Sequence, residues 1–263
     1  MRWARLPQSG AQPVARSSHS ITVVDDKLYL LGGEHDPRVP VGSDVYEYSF
    51  TDGIWRVLEA KGEPPIPRVA HAAAAVGSTL YAFGGRSGLE MGEGASNDLF
   101  SFHIPSATWT RLTPNGPPPP LRSYHTMTSV GNRLYVFGGC GEAGRLNDLH
   151  VYDTETNTWA ALAAPSEAAV PGRGGTCLVP AAGRKGLYVI AGFCGRELDD
   201  MHFYSLMEYG GCCWKSLEAG GESPGPRGWF ASATTPDGRL VVHGGLDANN
   251  ERLADMFVLD VHA

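Results

Sequence analysis

Short runs in which apolar and polar residues alternate are spaced along the whole chain, and each is bounded by glycine, proline, asparagine or aspartate. Between residues 122 and 172 the runs read YHTMTSV, RLYVFGG, DLHVYDT and TWAALA. Alternation of this kind, rich in β-branched and aromatic residues, predicts half-buried strands. None of the runs is long enough for a helix, so the pattern predicts a chain built from strands alone.

One phrase recurs five times, as KLYLLGG, TLYAFGG, RLYVFGG, GLYVIAG and RLVVHGG. The last glycine of the phrase falls at Gly33, Gly85, Gly139, Gly192 and Gly245, at intervals of 52, 54, 53 and 53 residues. An arginine precedes each phrase (Arg16, Arg68, Arg122, Arg173, Arg227), an aspartate follows it (Asp44, Asp98, Asp148, Asp200, Asp255), and tryptophans keep the same period (Trp3, Trp55, Trp109, Trp159, Trp214). Four markers on one period define a structural repeat, and four short strands per repeat of about 50 residues match the blade of a β-propeller. The glycines suit a place where backbones crowd. The tryptophan suits the wide rim between neighbouring sheets, which a large ring can fill.

The phase of the repeat predicts five units, at about 16–67, 68–121, 122–172, 173–226 and 227–263, in a single domain over 1–263. Trp3 is a fourth-strand tryptophan with no first three strands before it, and the last unit has three strands and no fourth. The segment 2–6 is therefore expected to pair with the C-terminal blade and close the ring, which would remove two exposed sheet edges. The proline-rich stretches GEPPIP and NGPPPP read as stiff connectors between blades.

Composition narrows the function classes. Charged residues are 19% of the chain and the net charge is −7, without a basic stripe, which argues against a nucleic-acid partner. No apolar run approaches a membrane span, and the first ten residues lack the apolar centre of a secretion signal, so a soluble protein of the cytoplasm, or also of the nucleus, is expected. The five cysteines (Cys140, Cys177, Cys194, Cys212, Cys213) form no CxxC pair, which argues against a disulfide framework and a zinc site.

The glycine pair followed by spaced aromatic and tryptophan positions resembles the kelch family over essentially the whole chain, which implies an all-β, five-bladed kelch-type propeller. Finer stretches, ARSSHSI with LYLLGGE, RSYHTM with VFGGCGEAGRLNDL, and PRGW with VHGG and NERLADMF, are similar to plant nitrile-specifier and epithiospecifier-type proteins. That subfamily diverts glucosinolate aglucone breakdown to nitriles with ferrous iron, in a six-repeat propeller. It holds the iron with Glu-x3-Asp-x3-His in the penultimate repeat. Here Glu251 and Asp255 keep the spacing but position 259 is Leu259, so the triad is absent and one repeat is missing. The resemblance therefore implies no metal ligands in this chain and leaves enzymatic activity open. It also implies that Arg86, Arg173 and Trp229 stand where specifier proteins line their substrate pocket.

The repeat arginines themselves, Arg16, Arg68, Arg122, Arg173 and Arg227, converge near one mouth of the channel if the propeller forms. Uncompensated, they would draw a small anionic ligand or an acidic peptide into a central pocket. Bonded to carbonyls of adjacent loops, they would be structural instead. His19, His71 and His125 each follow a repeat arginine by three residues, so they point to the opposite strand face and are expected to pack between blades rather than ring a metal. His202 and His243 are likewise expected to be structural. The repeated aspartates are expected to serve the repeat as loop acceptors at strand entry.

Overall fold

The structure, a computed structural model, describes residues 6–88, 93–181, 183, 185–207, 214–235 and 237–260. Each of the five predicted strand groups forms one sheet, so the protein is an all-β, five-bladed kelch-type propeller chain. The chain divides into two compact units, 1–114 with 120–123 and 115–119 with 124–263.

The first unit holds two blades. In the first blade the strands Ser20–Val24, Lys27–Leu31, Val45–Ser49 and Ile54–Val57 pair antiparallel in sequence order. In the second, Ala72–Val76, Thr79–Phe83, Leu99–His103 and Thr108–Leu112 do the same. A two-residue segment then adds a parallel edge to each fourth strand: Ser9–Gly10 on Ile54–Val57 and Lys61–Gly62 on Thr108–Leu112.

The second unit holds three blades. Thr126–Val130, Arg133–Phe137, Leu149–Asp153 and Thr158–Ala161 form one sheet, and Cys177–Pro180, Gly186–Phe193, Glu197–Ser205 and Trp214–Leu217 form the next. The last sheet has three strands among the described residues, Ala231–Thr234, Leu240–Leu246 and Arg252–Leu259. Its expected partner, the segment 2–6 around Trp3, falls almost entirely outside the described residues, as do Cys212 and Cys213.

The period-2 alternation sends every second residue of a strand into the seam with a neighbouring sheet. In the first unit Tyr29, Leu31 and Val45 of one blade meet Leu80, Phe100, Phe102 and Trp109 of the next. In the second unit Phe137 and Leu149 meet Leu187, Val189, Tyr204 and Trp214. The tryptophans sit as the rim argument requires. Each faces an aromatic residue directly across the strand pair, Trp55 on Tyr48 at 5.1 Å, Trp109 on Phe102 at 5.0 Å, Trp159 on Tyr152 at 5.2 Å and Trp214 on Tyr204 at 5.1 Å. Each such pair contributes about 0.5–1.5 kcal/mol beyond its area.

The glycine pair locks one blade to the next. Gly138 and Gly139 have φ of 65° and 98°, and a Cβ on Gly138 would lie 2.6 Å from the carbonyl oxygen of Arg173. That same carbonyl accepts the Gly139 N–H at 2.8 Å. Side chains are excluded twice over, by the left-handed backbone and by the incoming carbonyl. The fourth period departs from the rule with Ala191, held at φ 46°, a conformation that costs a non-glycine residue about 1–2 kcal/mol.

Candidate functional site

The repeat arginines are built into the blades. Arg68 is buried; its Nε donates to the Ile66 carbonyl at 3.1 Å and its Nη1 to the Gly84 carbonyl at 2.8 Å. Its guanidinium also grips both carboxylate oxygens of Asp98, at 2.6 and 3.2 Å. Arg173, 0% exposed, repeats every element with Pro171, Ala191 and Asp200, the last at 2.5 and 2.8 Å. Arg227 repeats it with Gly225, Gly244 and Asp255, at 2.7 and 3.0 Å to the carboxylate. A planar fork of five donors matches two carbonyls and a carboxylate in one plane, which a lysine could not do.

Of the two readings of the repeat arginines, charge left open for an anion or bonding within the blades, these contacts give the second at Arg68, Arg173 and Arg227. An aspartate within the third strand, or just before it at Asp98, neutralises each, and so does more than accept loop hydrogen bonds at strand entry. The counter-charge holds those carboxyls below the usual range. At Asp98 and Asp200 burial opposes ionisation, and hydrogen bonds with charge from Arg68, or from His202 and Arg173, overcome it; at Asp255 the Arg227 hydrogen bond leads. Arg122 is fully buried, with its Nε donating to the Pro120 carbonyl at 3.1 Å. Arg16 departs from the pattern: it bonds the Val14 and Gly32 carbonyls and lies 5.0 Å over the Tyr46 ring, but meets no carboxylate among the described residues.

Where their contacts are described, the histidines are hydrogen-bonded packing groups. His71 is buried and its Nε2 lies 2.8 Å from the Ser20 hydroxyl of the preceding blade. Burial, then the charges of Arg68 and His19, lower its pKa to about 3, so it is neutral. His202 bridges Asp200 at 2.8 Å and Ser216 at 3.2 Å, completing the Arg173 cluster.

A different set of groups faces solvent. Two residues after each repeat arginine the chain turns left-handed, at Ser18, Ala70, Tyr124, Gly175 and Trp229, with φ between 53° and 58°. In the second unit these residues are linked edge to edge: the Gly175 N–H donates to the Tyr124 carbonyl at 3.2 Å and the Trp229 N–H to the Gly175 carbonyl at 2.8 Å. Trp229 is 46% exposed. A Cβ on Gly175 would lie 3.0 Å from three indole atoms, so the missing side chain lets the ring lie against the backbone. Phe193 stacks on Trp229 at 5.2 Å and 37°, and the exposed Arg145 guanidinium lies 4.5 Å over Phe193. Arg145 has no carboxylate or hydrogen-bonding side-chain partner among the described residues. A cation on one side of an aromatic pair, with an open indole on the other, can receive an anionic group attached to an apolar or planar one.

The sequence singles out Trp229 and does not single out Arg145 or Phe193. Phe193 follows Ala191–Gly192 as Arg86 follows the second glycine pair, and that equivalence was the available signal. Arg86 belongs to the first unit; it is buried, its Nη1 donates to the Gly88 carbonyl at 3.1 Å, and its backbone pairs with Val69. The first strands of the second unit also line a groove of about 760 Å3, with hydroxyls from Thr126, Thr128, Ser232 and Thr234.

Ferrous iron, which the specifier resemblance implies, does not fit the residues present. Asp255 is engaged by Arg227 through both oxygens, and Leu259 offers no donor where the third ligand would stand. Among the described residues no three His, Cys, Asp or Glu side chains are grouped to hold a metal. No helix among them is long and apolar enough to cross a membrane.

Comparison with known proteins matches the fold. The rat protein "Kelch domain-containing protein 3" is 30% identical over 286 residues, spanning 100% of this chain and 72% of its own. The "N-(sulfonatooxy)prop-2-enimidothioate sulfolyase" of Thlaspi arvense is 28% identical over 347 residues, spanning 99% of this chain and 97% of its own. The mouse "Leucine-zipper-like transcriptional regulator 1" is 33% identical over 180 residues, 65% of this chain and 21% of its own. The family model described as "KLHDC2/KLHL20/DRC7 Kelch-repeats domain" matches residues 18–227. With five sheets on one period and that match across most of its length, the chain belongs to the KLHDC2/KLHL20/DRC7 Kelch-repeats domain family.

Proposed function

We infer that this protein is a non-catalytic binding module that takes an acidic peptide on the Arg145–Phe193–Trp229 ledge. The observation that carries this reading is the exposed Arg145 guanidinium over Phe193, with the open Trp229 ring beside it. A peptide carboxylate would pair with Arg145, and the neighbouring side chain would cover the indole. Arg68, Arg173 and Arg227 take no part in this, because each is already matched by an aspartate.

A fluorescein-labelled hexaglutamate peptide is a suitable probe, titrated at low salt by fluorescence anisotropy. Arg145→Gln and Trp229→Ala are each expected to weaken binding about tenfold, a difference of about 1.4 kcal/mol. Binding should also fall as salt rises, because exposed charges are screened. Equal affinity in wild type and both variants would overturn the reading.

The alternative is a sulfolyase-type activity that diverts a sulfated thiohydroximate to a nitrile, favoured by the alignment with the Thlaspi arvense protein over nearly the full length of both chains. The incomplete Glu251–Asp255–Leu259 set opposes it. Incubation with myrosinase, a glucosinolate and ferrous iron separates the two: an unchanged ratio of nitrile to isothiocyanate eliminates this alternative.

A further inference from the structure

In the third and fourth blades, a hairpin sets one residue directly across from the residue that follows the repeat phrase. It pairs Cys140 with Arg145 in the third blade and Phe193 with Glu197 in the fourth. Arg145 and Glu197 thus hold the same place in successive blades, with opposite charge. Arg145 reaches forward, 4.5 Å over the Phe193 ring. Glu197 stands beside the same residue on its own hairpin, because residues directly opposite in an antiparallel pair share a face, with Cβ atoms about 4.5–5.5 Å apart. Glu197 is half-buried and makes no hydrogen bond or ion pair among the described residues. The two charges therefore flank one aromatic pair without neutralising each other. The indole of Trp229, 5.2 Å from the Phe193 ring, adds to the asymmetry, because the negative face of an aromatic ring attracts cations.

We propose that the ledge is dipolar and takes a peptide in which an acidic residue is followed two residues later by a lysine or arginine. The carboxylate pairs with Arg145, and the cation lies between Glu197 and the Trp229 indole. This rests on the acidic-peptide reading of the ledge and narrows it. The steps from guanidinium to Phe193 and from Phe193 to Trp229 are 4.5 and 5.2 Å. Residues i and i+2 of an extended peptide lie on one side about 7 Å apart, and their side chains cover that span. A uniformly acidic chain fits less well, because its second carboxylate meets Glu197.

The test is competition on the full chain at low salt. Two unlabelled peptides with blocked termini, Gly-Glu-Ser-Lys-Gly and Gly-Glu-Ser-Gln-Gly, displace fluorescein-labelled hexaglutamate. In the wild type the lysine peptide should compete about threefold better, the strength of one exposed ion pair. Glu197→Gln should erase that preference and tighten hexaglutamate by a similar factor. Equal competition by the two peptides in the wild type, or none, with hexaglutamate still weakened by Arg145→Gln, would overturn the dipolar proposal and keep the acidic-peptide reading. Hexaglutamate binding that ignores Arg145→Gln would overturn both. A Glu197→Gln protein that binds both short peptides more tightly and to the same degree would also overturn the proposal, since Glu197 would then act only by screening Arg145.

Discussion

Replacing Arg173 with methionine tests the claim that the repeat arginines are structural. Met keeps most of the aliphatic volume of a side chain that is 0% exposed, but removes four hydrogen bonds: one to Pro171, one to Ala191 and two to Asp200. Asp200 keeps His202 at 2.8 Å, so its charge is only partly matched. Removing one partner of a buried ion pair costs about 3–5 kcal/mol, much of it from the carboxylate left behind. For a chain of this size each kcal/mol moves the midpoint by about 2–4 °C, so calorimetry should show a loss of about 10 °C. Adding Asp200→Leu removes the stranded charge, and the double variant should lose less than the two single losses combined. A loss under about 2 °C for Arg173→Met, accompanied by weaker hexaglutamate binding, would refute the reasoning and return Arg173 to a ligand site.

Three further outcomes follow from particular residues. His71 is neutral in the fold, with a pKa of about 3, against about 6.5 when unfolded. The unfolded chain therefore binds the extra proton between those values, so stability should fall by a few kcal/mol as pH drops from about 6.5 toward 3. Denaturant melts across that range check this, and His71→Gln should flatten the slope. Gly175→Ala would place a methyl 3.0 Å from the Trp229 indole at a φ of +58°, so it should cost about 1–2 kcal/mol, shift the tryptophan emission and weaken peptide binding. Burial pushes the Cys177 thiol up to about 11. Iodoacetamide at pH 8 should therefore modify it more slowly than a free cysteine peptide, as peptide mass spectrometry would report; equal rates would contradict the raised pKa.

Much of this was legible without coordinates. The strands, their grouping in fours in the first four blades and the places of Trp55, Trp109, Trp159 and Trp214 follow from alternation and period, because a strand's inward residues are set by its own local geometry. His71 does pack against the preceding blade, but not because three residues along a strand change its face: the left-handed turn at Ala70 stands between it and Arg68, ahead of the strand Ala72–Val76. The chemistry of the arginines was not legible. Asp98, Asp200 and Asp255 lie 30, 27 and 28 residues beyond their arginines, just before or within the third strand of the blade, and only the pairing of the strands brings them onto the guanidinium. The same holds for Arg145 on Phe193 and Phe193 on Trp229, which come from three successive blades.

By itself the sequence determined the architecture: five periods, each forming a sheet, because hydrophobic alternation and left-handed glycines act within a few residues. Tertiary structure alone decided which cations are spent and which are available. A side chain's own strand sets the direction it points, but its partners are set by the register of other strands, and register is a property of the assembled blades.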